Sequence, residues 1–516
     1  MIVSKGQKVR RFLVILALTV CFGTPVYFLT GSAVTAQDLV VNRKAEGISL
    51  DPAKTTTMED YMVMGNIFSS LFRFKTDSFD LRPDLATEYR VSPDGKTYTF
   101  KLRQGVKWHK GFGEFTAEDV AFSINRVKNP ETKSPYARNF ANVAKVEVTG
   151  KYEVKMALKK PEATFLQNLT VTRPCSGLIV SKQAVTKLGD GHGSQPVGTG
   201  PFVFQEAVPR EKIVLVANPD YYEGAPKLKR ITFVPIADET TALMALESGD
   251  VHMTQIENVR LLQKYQNHEK LNVITGPRIS VHMILMNTKR PPFNNVKVRQ
   301  AMAYAINTDE IINGILSGFA DKPTGVIHPQ MFGYTADVQK YPYDPQKARN
   351  LLAEAGYPNG FKTKVVVLIY GQWQKVMELV KAQLAKVGID MAIQMLERGA
   401  YVQARAQETT ELVMFGVSLP PDPDFVMRDF HSKNAPPGGL NLSRYGAVDD
   451  LIEKGSQEMD KAKRSQIYGE IQKRMAQDVP AVVLYHPKWT QVVNKRVRGY
   501  TVERMGGFWL FPVSID

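Results

Sequence analysis

The chain has 516 residues, of which 43% are hydrophobic and 23% charged, and its formal net charge at pH 7 is +15. This length exceeds what one hydrophobic core usually serves, so two or three domains are expected, and the composition excludes a largely disordered chain. The basic residues are scattered singly rather than clustered, so no nucleic-acid partner is expected despite the positive charge.

The first 36 residues have the pattern of a secretory signal peptide. Cationic residues precede an apolar run at positions 12–22, and Val34-Thr35-Ala36 supplies the small residues that signal peptidase needs. A retained membrane anchor is the alternative, although the run is shorter than the ~20 residues of a membrane span. Lipoprotein processing at Cys21 is not expected, because Val20 stands where a small residue is required.

The first half of the remaining chain is predicted to be rich in β-strands. The turn Pro93-Asp94-Gly95 is followed by apolar residues at every second position, so residues 89–102 are predicted to form a hairpin. Thr116 followed by Asp119 is the start signal of a helix. Apolar spacing predicts another helix over 58–74. Further strands are predicted at 39–41, within 143–158 and at 231–234, with a helix at 239–248.

The stretch 281–306 organises the middle of the chain. It begins as an apolar strand at 283–286, breaks at Pro291-Pro292, and restarts as a helix for which Asn295 is the expected N-cap. One interpretation is that the chain leaves one lobe here and enters another. An ordinary strand-to-helix connection inside one domain is the other, since spacing alone fixes no topology.

The second half alternates strands with helices, which predicts α/β layers with parallel strand pairing. The last residues, 490–516, are predicted to be β-rich again, so the chain is expected to return to its first lobe. The predicted helices are 308–316, 345–355, 376–387 and 467–475, and the predicted strands are 364–370, 391–396, 411–417 and 481–485.

The sequence offers little catalytic or metal-binding chemistry. The eight histidines lack metal-site spacing, and Cys175 is the single cysteine after position 36, so neither a metal site nor a cofactor is expected. Asp422 and Asp424 are close enough in sequence for acid–base work, which keeps an exported hydrolytic enzyme as the alternative. The main expectation is recognition without catalysis.

Several stretches, in the family's order, resemble the solute-binding proteins of bacterial peptide/nickel-type ABC importers (family 5), which include the dipeptide- and oligopeptide-binding proteins. Any one of them is a weak signal, but the ordered set is specific to that family. The matching positions are 49–52, 83–86, 92–108, 116–123, 198–202, 218–222, 286–288, 292–293, 298–301, 343–348 and 351–356.

The resemblance implies an α/β, two-lobed periplasmic-binding-protein fold of the large cluster C type. Lobe 1 would span 37–282 with a β-rich subdomain around 75–190 and would be completed by 488–516, and lobe 2 would span 283–487. The implied protein is a periplasmic, monomeric receptor that closes by a hinge motion and delivers a small solute to a permease in the inner membrane. A peptide is the expected solute, and an opine, a sugar or a metal chelate is the alternative.

The family pattern also implies a set of ligand-binding residues. Where peptide-binding members carry an aspartate for the peptide's α-ammonium, this chain has Leu419, so a simple free-amine peptide would lack its usual counter-ion. Arg173 and Arg398 would suit a solute carboxylate. The complete set is Thr56, Met58, Arg173, Cys175, Tyr370, Trp373, Arg398, Tyr401, Ser418, Leu419 and Asp422.

Overall fold

A computed structural model describes residues 37–76, 78–170, 176–418, 420–504 and 507–516. The predicted signal peptide and the predicted ligand-binding residues Arg173, Cys175 and Leu419 lie outside the described residues. Within the described ranges, no helix combines the length and the apolar character needed to cross a bilayer.

The described residues form strands, helices and short 3-10 turns, joined by turns and irregular segments. The strands are β1 (Asp38–Arg43), β2 (Phe72–Phe74), β3 (Leu81–Pro83), β4 (Ala86–Val91), β5 (Thr97–Leu102), β6 (Val143–Gly150), β7 (Glu153–Leu158), β8 (Phe202–Val208), β9 (Lys212–Ala217), β10 (Arg230–Pro235), β11 (Met253–Gln255), β12 (Leu271–Gly276), β13 (Ser280–Met286), β14 (Ala320–Asp321), β15 (Phe361–Leu368), β16 (Ile389–Leu396), β17 (Leu412–Ser418), β18 (Ala481–Pro487), β19 (Trp489–Asn494), β20 (Val497–Arg498) and β21 (Ser514–Ile515). The helices are α1 (Met58–Ile67), α2 (Ala117–Lys128), α3 (Lys182–Leu188), α4 (Glu239–Ser248), α5 (Val296–Ala305), α6 (Thr308–Glu310), α7 (Pro345–Glu354), α8 (Trp373–Ala385), α9 (Arg398–Ala406), α10 (Asp424–Met427), α11 (Asp449–Gln457) and α12 (Lys461–Asp478).

The first large sheet has seven strands in the order β12-β19-β11-β1-β10-β9-β8. At its centre β1 runs parallel to both β10 and β11, whereas its remaining pairs are antiparallel. Leu39 and Val41 of β1 are fully buried, as expected for a strand covered on the face that carries them. The three central parallel strands therefore end at the same edge of the sheet, after Arg43, Pro235 and Gln255.

The second large sheet has six strands in the order β14-β18-β13-β17-β15-β16. Every residue of β13 is buried, because β17 and β18 flank it and its side chains pack into one core cluster on each face of the sheet. β15 runs parallel to β16 and β17, and helix α8 packs its apolar face on this layer through Val376 and Val380. The parallel pairing and the alternating helices confirm the α/β expectation for this half of the chain.

The chain passes from the first sheet to the second between Gly276 and Ser280, and it returns between Pro487 and Trp489. The apolar strand of the 281–306 stretch thus already belongs to the second sheet, so the Pro291-Pro292 break lies in the connection between β13 and α5 rather than between sheets. The exact lobe boundaries, 282/283 and 487/488, stay predictions.

A four-stranded antiparallel sheet, β4-β5-β7-β6, carries the predicted hairpin. Its core packs against α2, whose first turn is closed by the Thr116 backbone N–H donating to Asp119 Oδ2 at 3.0 Å. Both the hairpin and the helix start are therefore confirmed. The cause is local, since turn residues and caps act through neighbours in the sequence.

Two helix predictions are wrong in their extent. The helix predicted over 58–74 ends at Ile67, and Phe72–Phe74 forms β2, because the backbone there pairs with Leu81–Pro83. The helix predicted over 308–316 is α6 followed by a π-helical turn, Ile311–Ile315. In both places pairing or packing with distant residues overrides the apolar spacing.

The carboxyl-terminal segment returns to the first sheet and is held by one buried side chain. Asn66, on α1, donates from Nδ2 to the carbonyl of Phe508 at 2.7 Å and accepts from the Leu510 N–H at 3.0 Å. Asn66 is fully buried, and Phe508 and Leu510 pack in the same core as α1. The β-rich character predicted for 490–516 is confined to β19, β20 and β21.

We expect Asn66→Leu to destabilise the protein by about 2–4 kcal/mol, because the Phe508 carbonyl and the Leu510 N–H would be buried without partners. The free energy of unfolding from urea titration measures the loss. Asn350→Leu, at an exposed position on α7, is the control and should change this free energy by less than about 0.5 kcal/mol. Equal effects of the two substitutions would show that the hydrogen bonds of Asn66 to Phe508 and Leu510 do not stabilise the protein.

Candidate functional site

A small pocket lies where the two connections between the large sheets pass side by side. Its free volume is about 50 Å³, which is room for a few water molecules rather than for a peptide. The lining includes Arg278 from one connection and Lys488 from the other. The side chains that line it come from both sheets and include Gln255, Glu257, Arg278, His282, Tyr370, Gln372, Trp373, Tyr485, Trp489 and Thr490.

Two hydrogen bonds join the two halves of the pocket. Tyr370 donates from its hydroxyl to Glu257 Oε1 at 2.8 Å, and Gln372 donates from Nε2 to Asn258 Oδ1 at 2.7 Å. Burial, with the nearby Glu257 carboxylate, raises the pKa of Tyr370 to about 12. The phenol therefore stays protonated and able to donate at any physiological pH.

Arg278 is one of two cationic residues that line the pocket, the other being Lys488. Its guanidinium lies 4.1 Å from the ring centroid of Trp489, and its Nε donates to Ser418 Oγ at 3.2 Å. The planar guanidinium is thus stacked and oriented, with further N–H groups to offer an anionic or carbonyl oxygen. Arg278 was not among the predicted site residues. Its signal in the sequence is weak, since it is one arginine two positions before a fully buried strand.

The inner wall of the pocket is neutral and aromatic. His282 Nδ1 lies 2.9 Å from the Tyr485 hydroxyl and accepts from Trp373 Nε1 at 3.1 Å. Burial lowers the pKa of His282 well below its usual value, so the imidazole is uncharged. The Trp373 ring meets the His282 ring edge-on at 5.3 Å. This wall offers surface for packing rather than a base for catalysis.

The structure brings three of the predicted residues together, since Tyr370 and Trp373 line the pocket and Ser418 accepts from its Arg278. Thr56, Met58, Arg398 and Tyr401 do not line it. Thr56 is exposed just before α1, Met58 begins that helix half-buried, and Arg398 is exposed at the start of α9. Tyr401 is buried and donates to the Met414 carbonyl at 2.8 Å. A ligand-binding role stays a prediction for each of them.

Asp422 is held in a buried ion pair. Arg464 donates to both carboxylate oxygens at 2.6 Å, and both side chains are buried. Gln167, from the segment after β7, adds a bond from Nε2 to Asp422 Oδ2 at 3.3 Å. A solute ammonium would have to share a carboxylate whose two oxygens are already occupied, so binding of a ligand by Asp422 also stays a prediction.

Two further acids near Asp422 are pushed towards their neutral form. Burial and the Asp422 carboxylate raise the pKa of Asp424 to about 6, while Tyr468 donates to its Oδ1 at 3.2 Å. Burial raises the pKa of Asp429 to about 6 as well. Asp422 and Asp424 therefore belong to a packed polar cluster with Arg464 and Tyr468. Within the described ranges no three His, Cys, Asp or Glu side chains gather as metal ligands.

Residues 80–437 match the family model of bacterial extracellular solute-binding proteins, family 5. The chain belongs to that family. A curated relative, the glutathione-binding protein GsiB of Salmonella paratyphi A, is 33% identical over 494 residues, which is 93% of this chain and 93% of the relative. The fold is an α/β, two-lobed periplasmic-binding-protein fold, which agrees with the mixed sheets described above.

Two solved structures of related proteins align with this chain over nearly their whole length. The ABC transporter-associated periplasmic binding protein DppA of Helicobacter pylori, in complex with the peptide STSA, is 32% identical with a TM-score of 0.79 and covers 93% of this chain and 98% of its own. A dipeptide-binding protein of Pseudoalteromonas sp. SM9913, in complex with Met-Leu, is 26% identical with a TM-score of 0.80, over 93% of this chain and all of its own.

We expect Asp424→Asn to become more stabilising, relative to the unsubstituted protein, as the pH rises. Because the folded-state pKa is raised to about 6, the folded protein loses stability between about pH 4 and pH 6, as the unfolded chain gives up this proton first. The asparagine avoids that loss, which amounts to up to about 3 kcal/mol. Thermal unfolding at pH 4 and at pH 7.5 measures the difference.

Asp94→Asn is the control of opposite sign. Hydrogen bonds from the Ser92 hydroxyl and the Lys96 N–H lower the pKa of this exposed turn residue, so its contribution is lost only on acidification below about pH 4. Asp94→Asn should therefore not become more stabilising between pH 4 and pH 7.5. An Asp424→Asn benefit that is equal at both pH values would show that Asp424 is ionised without penalty in the folded protein.

Proposed function

We propose that this family 5 protein is a periplasmic receptor that binds a peptide-like solute between its lobes and delivers it to the permease of an ABC importer. The observation that carries the proposal is the pocket at the two connections, where side chains of both sheets meet through Tyr370–Glu257 and Gln372–Asn258. A site made of two halves forms fully only when the halves approach, and solute binding then favours the closed form.

The solute class rests on the relatives. One is named for glutathione and two were solved with peptides. The stacked Arg278 and the aromatic wall suit a small molecule with polar oxygens and an apolar part. The free volume of about 50 Å³ is too small for such a solute, so the lobes must separate for entry. We place the lobes at 37–282 with 488–516 and at 283–487, and the signal peptide at 1–36.

A receptor without catalysis fits the site better than a hydrolytic enzyme does. Arg464 donates to both carboxylate oxygens of Asp422, and the neutral His282 of the pocket is hydrogen-bonded at Nδ1. Neither group is arranged to activate a water against a bound solute. The protein is accordingly proposed to release its solute unchanged, to act as a monomer and to need no cofactor.

The direct test measures thermal unfolding of the protein without its first 36 residues in the presence of Met-Leu, Ser-Thr-Ser-Ala and glutathione. At least one of them should raise the melting temperature, because a ligand bound only by the folded state stabilises it by about 2.7 kcal/mol at 100 Kd. Mass spectrometry should recover that peptide intact after prolonged incubation. The absence of any shift across the panel, or consumption of the bound peptide, would overturn the proposal.

Tyr370→Phe should weaken binding of the responsive peptide by about 3- to 10-fold, since it removes one hydrogen bond between the two halves of the site. Isothermal titration calorimetry measures the change. Tyr343→Phe removes the hydroxyl of an exposed tyrosine outside the pocket and should leave affinity unchanged. If the two variants behave alike, the Tyr370–Glu257 bond does not contribute to solute binding.

A further inference from the structure

Arg43 is a buried cation whose guanidinium is largely unpaired. The residue is 5% exposed, and its Nε and Nη1 have no hydrogen-bond partner among the described residues. Burying a charge without a partner is costly, so most buried guanidinium groups are paired. Burial lowers the pKa of Arg43, although the negative charges of Asp60, Glu46 and Glu59 oppose that effect.

Two of these acids, Asp60 and Glu46, accept hydrogen bonds from other groups. Asp60 Oδ2 accepts from the backbone N–H groups of Ile48 at 2.8 Å and Ser49 at 3.1 Å and from the Thr57 hydroxyl at 2.8 Å. Glu46 accepts from the backbone N–H of Arg210. These acids contribute a favourable field without a direct bond. Arg43 therefore keeps N–H groups available for another acceptor.

The position of Arg43 in the fold is that of a ligand site. It is the last residue of β1, at the edge where the parallel strands β1, β10 and β11 end. In open α/β sheets, ligands bind beyond the carboxyl ends of the parallel strands. The neighbouring Lys44 is ion-paired with Glu239 and lies 3.7 Å from Glu257 of the pocket, so this edge continues into the pocket wall.

Gln255 occupies the matching position on the next strand. Val41 of β1 pairs with Met253 of β11, and Asn42 Nδ2 bonds Thr254 Oγ1 at 2.9 Å, so Arg43 and Gln255 follow in the same register. Gln255 lines the pocket, is 8% exposed, and its Oε1 has no partner among the described residues. Two buried side chains on adjacent strands thus leave an acceptor and two donors unused at one edge.

We propose that Arg43 and Gln255 form a subsite that takes the carboxylate end of the solute. Arg43 donates to the carboxylate oxygens, and Gln255 Oε1 accepts an adjacent N–H. The last residue of any peptide offers both groups on one α-carbon, as a carboxylate and its own amide N–H. The bonds are charge-assisted and lie in a site shielded from water, where they are stronger than in solution.

This inference rests on the proposed function, and its test is built on carboxylate preference. The probes are Ser-Thr-Ser-Ala and Met-Leu, each as the free acid and as the C-terminal carboxamide, and calorimetry gives the affinity ratio of acid to amide. The unsubstituted protein should prefer the acid by at least about tenfold. Arg43→Met should reduce that ratio to about one, and Gln255→Leu should weaken binding of both forms.

Arg230→Met is the matched control. Arg230 begins β10, at the opposite edge of the same sheet, and lies 3.8 Å from Asp38. Arg230→Met removes the same charge, but it does so at the opposite edge of the sheet from the proposed subsite. This variant should therefore keep the acid preference of the unsubstituted protein. Because Arg43→Met replaces an unpaired buried cation with an apolar side chain of similar length, its melting temperature without peptide should not fall.

The outcomes separate the two proposals. If the unsubstituted protein binds neither these probes nor glutathione, the proposed function fails and the subsite falls with it. If it binds glutathione alone, the same ratio is measured with glutathione and its glycine carboxamide. If it binds acids and amides equally, or if Arg43→Met keeps the preference, only the subsite is overturned. If Arg43→Met does not fold, the subsite is tested by two other results. The unsubstituted protein must prefer the acid over the amide, and Gln255→Leu must weaken binding of both forms.

Discussion

The structure depends on the way its two large sheets are joined. The chain passes between them twice, and the two passages run side by side, because β12 pairs with β19 on one side and β13 pairs with β18 on the other. Gly276 lies opposite Trp489 before the passage, and His282 lies opposite Tyr485 after it. Two short, adjacent segments limit the relative motion of the sheets to a hinge.

The pocket follows from that constraint. Both passages line the pocket, so side chains from either sheet meet there. Arg278 lies on one passage, Trp489 follows the other, and Ser418 at the end of β17 accepts a hydrogen bond from Arg278. The hydrophobic core supports this arrangement, because one continuous cluster contains Leu243 and Val492 of the first sheet's layer and Ile284 and Val380 of the second. The two layers are therefore packed against each other through a shared core.

The buried arginines differ in whether their guanidinium groups are paired. The ion pairs that are buried and fully bonded, such as Arg464 with Asp422 and Arg73 with Asp84, hold segments of the fold together. Arg43 differs from both, since it is equally buried and yet carries unused N–H groups at the edge where the parallel strands end. Buried polar groups without partners are rare in native proteins, and they concentrate where a ligand completes the bonding.

The sequence by itself determined the local elements and, through its ordered motifs, the family. The hairpin at Pro93-Asp94-Gly95 and the helix begun by Thr116 and Asp119 depend on contacts within a few residues, so their signals are complete in the sequence. The pair Tyr370 and Trp373 followed from the family pattern.

Only the tertiary structure decided how distant residues combine. Arg278 and Ser418 are 140 positions apart, and Arg43 becomes a neighbour of Gln255 through a parallel pairing that no spacing in the sequence reveals. The same limit explains why β2 replaced the end of the helix predicted over 58–74, since strand pairing is formed with residues that lie outside the apolar pattern. The site therefore needed the fold, because its chemistry exists only where separate strands end together.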